Sequence, residues 1–356
     1  MKSTALSWFA AAALAGGSFC STTLAIPPAE KLTLDTQNFP TLGTIHRLDP
    51  RLDELIAPDA KIEMIASGFD WCEGPLWVPE GGENKNGGYL LFSEIPSNTV
   101  RRWDAGKGLS VFLQCAGFTG TGGYGREPGS NGLALDAQGR LVSCEHGDRR
   151  ISVLMPGGGK RTLADAFQGK RFNSPNDLAI SRRGDIYFTD PIYGLPDGER
   201  DARRELDFCG VFRIDGKTGA VSLVSDNMTR PNGIALSPDE RTLYVAQSDR
   251  DAALWMAFPV AEDGTTGEGR VFKDVTAMGR GLSGGCDGMK VDAQGNLWAS
   301  GPGGIHIMAP DGVLLGRIET GQFTSNCAFG GASVTTLYMT ADMYVCRVET
   351  KVKGAR

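Results

Sequence analysis

The sequence predicts an all-β protein, and more specifically a six-bladed β-propeller. One phrase recurs six times, in which a polar residue opens an apolar strand that is followed by a turn and a second strand. Gly is unusually frequent, with 49 of the 356 residues, which favours short strands joined by many turns. No long window has the periodicity of a strongly amphipathic helix. These three observations together indicate a propeller built from six repeats.

The six copies of the phrase open with oxygen-bearing side chains, which we call the lead residues. They are Glu73, Asn131, Asn176, Asn232, Asp287 and Asn326. Their separations of 58, 45, 56, 55 and 39 residues suit a four-stranded blade with generous loops. Because the innermost strand of every blade runs along the central channel, the lead residues should meet there as a ring of hard ligands.

A simpler interpretation of the lead residues is that Asn only shapes the turn entering each strand. That interpretation suits each Asn taken alone. It does not explain Glu73, which precedes Gly-Pro in a context with no special need for Glu. The set of six therefore favours a metal site in the central channel.

The chain divides into three predicted segments. Residues 1–25 have one early positive charge, a short apolar run and a small-x-small site ending at Ala25, which is typical of a secretory signal peptide. Residues 26–60 are predicted to form an N-terminal leader on the outside of the fold, and residues 61–356 the propeller. Residues 61–69 are expected to close the ring against the last blade. We expect an exported protein, periplasmic or secreted, with no membrane span.

Composition excludes several other functions. The net charge of −6 argues against a nucleic-acid partner, since such proteins carry a basic surface. The seven cysteines after the signal peptide lack CxxC spacing, which argues against a zinc site or a disulfide framework, although a single pair stays open. Three histidines and no GxSxG phrase argue against a Ser-His-Asp hydrolase.

The loop at residues 117–130 is rich in Gly and is predicted to form a lid over the channel. Tyr124 and Arg126 in this loop are candidates for substrate contacts, or they belong to a solvated loop. His146 follows the second repeat and either lines the pocket or has a structural role at a blade edge.

Several phrases in this order resemble the SMP-30/gluconolactonase/luciferin-regenerating-enzyme-like family, over about residues 60–350. They are EGPLW at Glu73, SPNDLAI at Asn176, RPNGIALSPD at Asn232, DGMKVDAQGNLW at Asp287 and SNCAFGG at Asn326. The resemblance implies a six-bladed propeller that hydrolyses sugar lactones with one divalent cation, usually calcium, in its channel.

The resemblance also implies roles for individual residues. Glu73, Asn232 and Asp287 would be metal ligands, Asn176 a fourth ligand or a substrate contact, and Asp287 the catalytic acid/base. The remaining lead residues, Asn131 and Asn326, are expected to contact substrate. Ser174 stands where animal members of the family place an Arg, so the substrate is less well defined than the metal site.

The ligand types favour Ca²⁺, because carboxylate and amide oxygens suit a hard cation, while Mn²⁺, Mg²⁺ or Zn²⁺ could exchange into the site. We expect hydrolysis of a gluconolactone-type lactone to the aldonic acid, in which the cation polarises the carbonyl and Asp287 moves the proton. Two alternatives stay open: an organophosphate or ester hydrolase using the same site, and a non-catalytic propeller that binds a small ligand.

Overall fold

The computed structural model describes residues 38–80 and 86–355. Within these ranges the chain forms six blades of antiparallel strands, which confirms the predicted six-bladed β-propeller. The predicted signal peptide at residues 1–25 and the leader up to residue 37 lie outside the described residues. No helix in the described ranges is long and apolar enough to cross a membrane.

The first half of the described chain holds the leader strands and three blades. Before blade 1 lie β1 (Thr41–Leu42), β2 (Thr44–Arg47), the short helix α1 (Leu52–Leu55) and β3 (Ile62–Ser67). Blade 1 contains β4 (Cys72–Pro79), β5 (Gly88–Glu94), β6 (Thr99–Asp104) and β7 (Gly108–Gln114). Blade 2 contains β8 (Ser130–Leu135), β9 (Leu141–Glu145), β10 (Arg150–Leu154) and β11 (Lys160–Ala164), and a small hairpin follows with β12 (Ala166–Phe167) and β13 (Lys170–Arg171). Blade 3 contains β14 (Leu178–Ile180), β15 (Ile186–Asp190), β16 (Gly210–Ile214) and β17 (Val221–Ser225), with a 3₁₀ turn at Gly198–Arg200.

The second half holds the other three blades. Blade 4 contains β18 (Pro231–Leu236), β19 (Thr242–Gln247), β20 (Leu254–Pro259) and β21 (Arg270–Asp274), with a 3₁₀ turn at Arg250–Ala252. The short helix α2 (Thr276–Gly279) leads into blade 5, which contains β22 (Met289–Val291), β23 (Leu297–Gly301), β24 (Gly304–Met308) and β25 (Leu314–Glu319). Blade 6 contains β26 (Thr324–Gly330), β27 (Thr336–Ala341) and β28 (Tyr344–Glu349).

The ring is closed by a strand from the N-terminal side of the propeller. β3 pairs antiparallel with β28 and completes blade 6, which confirms the predicted closure by residues 61–69. The described part of the leader lies along outer edges, where β1 extends blade 6 beyond β3 and β2 pairs with β25 as a fifth strand of blade 5. Ring closure therefore joins strands from both ends of the propeller in one sheet. Because β3 covers β28, the edge of β28 is not exposed for pairing with another chain.

The apolar core lies between neighbouring blades and leaves the axis to polar side chains. Phe188 and Phe212 of blade 3 pack against Val142 and Ile151 of blade 2. Trp255 of blade 4 packs in the same way against side chains of blade 5. All seven cysteines in the described ranges are free, and six of them are buried.

Glycines after the lead residues let neighbouring inner strands approach closely. A Cβ added to Gly74 would lie 2.0 Å from the carbonyl oxygen of Asn131, and one added to Gly233 would lie 2.1 Å from that of Asp287. A Cβ at Gly132 would likewise clash with Asn176 and Asp177, and one at Gly288 would clash with the side chain of Asn326. None of the four lead Asn residues has a positive φ, so their recurrence is not explained by left-handed turn geometry. The repeated polar-Gly pair is therefore a packing requirement at the axis.

Candidate functional site

Five of the six lead residues face one cavity at the axis of the propeller. Glu73, Asn131, Asn176, Asn232 and Asp287, from blades 1 to 5, line a cavity of about 270 Å³. In blades 1, 2 and 4 the register of the inner strand shifts beside the lead residue, and such bulges re-aim a side chain. Local irregularity at the start of the inner strands thus turns the lead side chains toward a common centre.

Asn326, the sixth lead residue, is not in the wall of the cavity. Its side-chain amide donates to Asp177 Oδ2 across 3.3 Å, and its Oδ1 accepts from the backbone N–H of Cys327. Asp177 occupies the position in blade 3 where blades 1, 2, 4 and 5 have Gly, and blades 3 and 6 stand opposite each other in the ring. This contact spans the channel and occupies Asn326, so the predicted substrate role of Asn326 finds no support in the cavity geometry.

The two carboxylates among the lead residues are buried, and neither forms an ion pair within the described ranges. Glu73 is 3% exposed and Asp287 is 8% exposed. Burial raises the pKa of Glu73 well above its ordinary value, and the nearby charges of Asp287 and Asp177 raise it further. Burial likewise raises the pKa of Asp287, with Asp177 and Glu127 adding to the effect. The cavity therefore gathers buried carboxyl groups that no ion pair of the described residues neutralises, although Arg250 contributes a cationic side chain to the wall.

Two amide oxygens of the same ring lack hydrogen-bond donors among the residues that the structure describes. Asn131 Oδ1 and Asn232 Oδ1 are both buried and without a partner. An unpaired buried acceptor is unfavourable, and a bound cation would satisfy both oxygens and the carboxylate charge together. No described group of three or more His, Cys, Asp or Glu side chains is arranged for a metal ion, so any site here mixes carboxylates with amides. The donors present fit a hard divalent cation.

Three further residues expected at the site lie outside the cavity wall. His146 is fully buried and stands 3.3 Å, Nδ1 to Oε2, from Glu127. Tyr124 donates its hydroxyl to the backbone oxygen of His146 and packs its ring against Phe118. Arg126 is exposed to solvent. His146, Tyr124 and Arg126, which were predicted to contact substrate, therefore do not line the cavity.

Residues that the sequence interpretation missed complete the wall. They are Trp71, Glu127, Ser248, Arg250, Gly284, Gly285 and Phe323. Trp71 and Phe323 pack together with ring centroids 5.2 Å apart and form an apolar side. Tyr193 also lines the cavity, with its hydroxyl 2.5 Å from Ser248 Oγ. Trp71 and Phe323 each lie within three residues of a lead residue. This closeness in sequence could have indicated that they lie near the cavity.

Asp190 positions the segment that leads into Asn176. Its two carboxylate oxygens accept the backbone N–H groups of Asn173 and Ser174. Burial raises the pKa of Asp190 to about 7, although these two donors act in the opposite direction. Ser174 donates its hydroxyl to the backbone oxygen of Pro191, so it supports the loop and does not reach the cavity.

Fold and site together define a class of protein. It is a six-bladed β-propeller with one cavity at its axis. Two buried carboxylates and unpaired amide oxygens line this cavity, together with the aromatic rings of Trp71 and Phe323.

The chain belongs to the SMP-30/Gluconolactonase/LRE-like family, whose model matches residues 71–342. A gluconolactonase from Zymomonas mobilis is 40% identical over 339 residues, covering 93% of each chain. The solved structure of a gluconolactonase from Xanthomonas campestris is 31% identical, with a TM-score of 0.73, and covers 87% of this chain and 97% of that one. The structure of a calcium-binding regucalcin from Agrobacterium tumefaciens, 19% identical with a TM-score of 0.63, covers 82% of this chain and 96% of that one and shares the fold.

Proposed function

We propose that this protein hydrolyses a sugar lactone of the gluconolactone type to the aldonic acid with the help of one divalent cation. The observation that carries the proposal is the cavity at the axis, where Glu73 and Asp287 are buried without an ion pair among the described residues, beside unpaired amide oxygens. Membership of the family and the 40% identity to a gluconolactonase make the chain a hydrolase of the lactonase class. The particular lactone and the cation are our inference.

The cation would be held by Glu73, Asn232 and Asp287, with Asn176 as a further ligand or a substrate contact. Oxygen donors of this kind favour Ca²⁺. When bound, the cation supplies Lewis-acid polarisation of the lactone carbonyl and stabilises the charge that develops on its oxygen. Asn131, whose Oδ1 is unpaired in the same wall, is available to either the cation or the substrate.

Asp287 is our candidate for the group that moves the proton. It takes a proton from the attacking water and returns it to the ring oxygen as the C–O bond breaks. The amide of Asn232 donates a hydrogen bond to Asp287 and so helps to orient the carboxylate. The assignment requires that one oxygen of Asp287 stays free to act as the base.

The other walls of the cavity suit a sugar ring. Trp71 and Phe323 offer an aromatic surface against which the apolar C–H face of a pyranose can pack. Polar side chains of Tyr193 and Ser248 stand in the same wall for the hydroxyl groups. A volume of about 270 Å³ is near the lower end of small-molecule sites, roughly 300 Å³, and suits a ligand of one ring.

Replacement of Asp287 by Asn tests the catalytic assignment. We expect turnover of glucono-1,5-lactone to fall by about 10²- to 10⁴-fold, the usual contribution of a general base, when the assay contains saturating Ca²⁺. The matched control is Asp226→Asn, since Asp226 is exposed in a loop of blade 3. Circular dichroism and Ca²⁺ titration calorimetry report whether fold and cation binding survive. Full activity in a folded, Ca²⁺-bound Asp287→Asn protein would remove Asp287 from the proposed mechanism.

A further inference from the structure

Glu127 brings a carboxylate to the cavity wall from outside the ring of lead residues. It belongs to the loop at residues 117–130, which precedes β8, whereas Glu73 and Asp287 stand at the inner strands of blades 1 and 5. Its side chain is 30% exposed, so it is accessible from the cavity side. Neither the repeat nor the proposed cation site accounts for a third carboxylate at this place.

His146 stands directly behind Glu127. The imidazole is fully buried, and its Nδ1 is 3.3 Å from Glu127 Oε2. In the described part of the chain neither ring nitrogen makes a hydrogen bond of good geometry, and Nδ1 approaches Glu127 only at ion-pair distance. A buried imidazole without partners is unfavourable, and the carboxylate of Glu127 is the acceptor that stands within reach of Nδ1.

The surroundings leave the imidazole little room to turn elsewhere. A Cβ added to Gly194 would lie 2.5 Å from His146 Cβ and 2.7 Å from Ser174 Cβ, so the chain packs tightly on that side. Tyr124, from the same loop as Glu127, donates its hydroxyl to the backbone oxygen of His146. The loop therefore contacts His146 at two points, through the hydroxyl of Tyr124 and through the carboxylate of Glu127. The contact with the imidazole holds the Glu127 side chain in place.

We propose that Glu127, positioned by His146, accepts hydrogen bonds from substrate hydroxyl groups and so selects polyhydroxylated lactones over lactones that lack hydroxyls. This inference rests on the proposed lactonase function and names the specificity residue of the same site. An ionised carboxylate only accepts hydrogen bonds, and vicinal hydroxyls of a sugar lactone supply two donors at matching separation. A site built to bind hydroxyls discriminates strongly against an analogue without them, because its polar group is then left unpaired.

The first test measures binding without turnover. The lactam of gluconic acid keeps the hydroxyls of glucono-1,5-lactone and resists hydrolysis, and δ-valerolactam is the hydroxyl-free counterpart. In the Ca²⁺-loaded protein we expect Glu127→Gln to weaken binding of the gluconic lactam about tenfold and binding of δ-valerolactam less than about twofold. The matched control, Glu268→Gln, removes an exposed carboxylate in blade 4 and should change neither.

The second test measures hydrolysis of glucono-1,5-lactone and δ-valerolactone by the same variants. We expect Glu127→Gln to raise KM for the sugar lactone about tenfold with little change in kcat, and to leave δ-valerolactone unaffected. His146→Ala should move KM in the same direction, and the double variant should be no worse than Glu127→Gln alone, since His146 acts through Glu127.

The outcomes separate this inference from the proposed function. If Glu127→Gln loses equal activity on both lactones and binds Ca²⁺ more weakly, Glu127 belongs to the cation site and the inference is overturned. An unchanged preference for the sugar lactone over δ-valerolactone would overturn it as well. If the wild type hydrolyses neither lactone but Glu127→Gln still weakens the gluconic lactam selectively, the lactonase proposal fails while the hydroxyl-binding role of Glu127 stands.

Discussion

Substitution of Gly233 by Ala should separate blades 4 and 5 and damage the cation site. A Cβ at this position would lie 2.1 Å from the backbone oxygen of Asp287 and 2.7 Å from Gly288 Cα. Because Cβ atoms essentially never approach other heavy atoms within 3.0 Å, the two inner strands must move apart by about 1 Å. The obstacle is backbone, which cannot swing aside as a flexible side chain would.

The size of the effect follows from that displacement. Overpacking of this kind costs about 1–3 kcal/mol of the free energy of unfolding, and we expect the upper end because the backbone of a neighbouring blade is displaced. Asn232 and Asp287 sit directly before Gly233 and Gly288, so the same shift changes the separation of two proposed ligands. A misplacement of about 1 Å is expected to lower turnover about a hundredfold.

The assay combines urea unfolding, Ca²⁺ titration calorimetry and lactone hydrolysis on Gly233→Ala. Gly281→Ala serves as the matched control, because Gly281 does not have a positive φ and a Cβ there meets nothing within 4 Å. Wild-type stability, Ca²⁺ affinity and turnover in Gly233→Ala would refute the argument that the polar-Gly pairs set the spacing of the inner strands.

Three further predictions concern the cation, the aromatic side and acid stability. Glu73→Gln should weaken Ca²⁺ binding by at least about tenfold in calorimetry, because it removes one of the two buried ligand charges while keeping the shape of the side chain; undiminished affinity would exclude Glu73 as a ligand. Trp71→Ala should raise KM for the sugar lactone about tenfold with Ca²⁺ affinity retained, because it removes half of the Trp71–Phe323 surface; an unchanged KM would show that the ring does not pack there. Burial lowers the pKa of His306 to about 4, so the unfolded chain takes up a proton between about pH 6.5 and pH 4 that the folded chain does not. This group should therefore reduce the free energy of unfolding by about 2 kcal/mol as the pH falls from 7 to 4.5, and His306→Asn should lose less stability over that range in urea titrations; identical pH profiles would contradict it.

The parts of the fold that the sequence could predict are those set by local patterns. The recurring polar-Gly phrase located the inner strands, because each Gly is required where the next blade approaches, as at Gly74 and Gly233. Residues 61–69 were predicted to supply the closing strand, and β3 pairs with β28 there. These features repeat along the chain and so are visible without knowledge of distant contacts.

The composition of the cavity wall was less predictable, because it depends on how loops turn in three dimensions. In the loop at residues 117–130 the prediction selected Tyr124 and Arg126, whereas the neighbouring Glu127 lines the cavity. The direction of that loop is set by contacts such as Tyr124 with His146, which no local pattern reveals. Asn326 shows the same limit, since Asp177 from the opposite blade holds its side chain.

Proton release from glucono-1,5-lactone, measured before and after removal of bound metal, tests the central claim most directly. Purified protein is treated with a chelator, freed of it, and assayed with and without added Ca²⁺, with spontaneous hydrolysis subtracted. We predict that the metal-free protein is inactive and that Ca²⁺ restores turnover, and that it does not do so in Asp287→Asn. Turnover that is undiminished in the metal-free protein, or Ca²⁺ binding in the wild type without any hydrolysis, would contradict the proposal of a cation-dependent lactonase site at the axis.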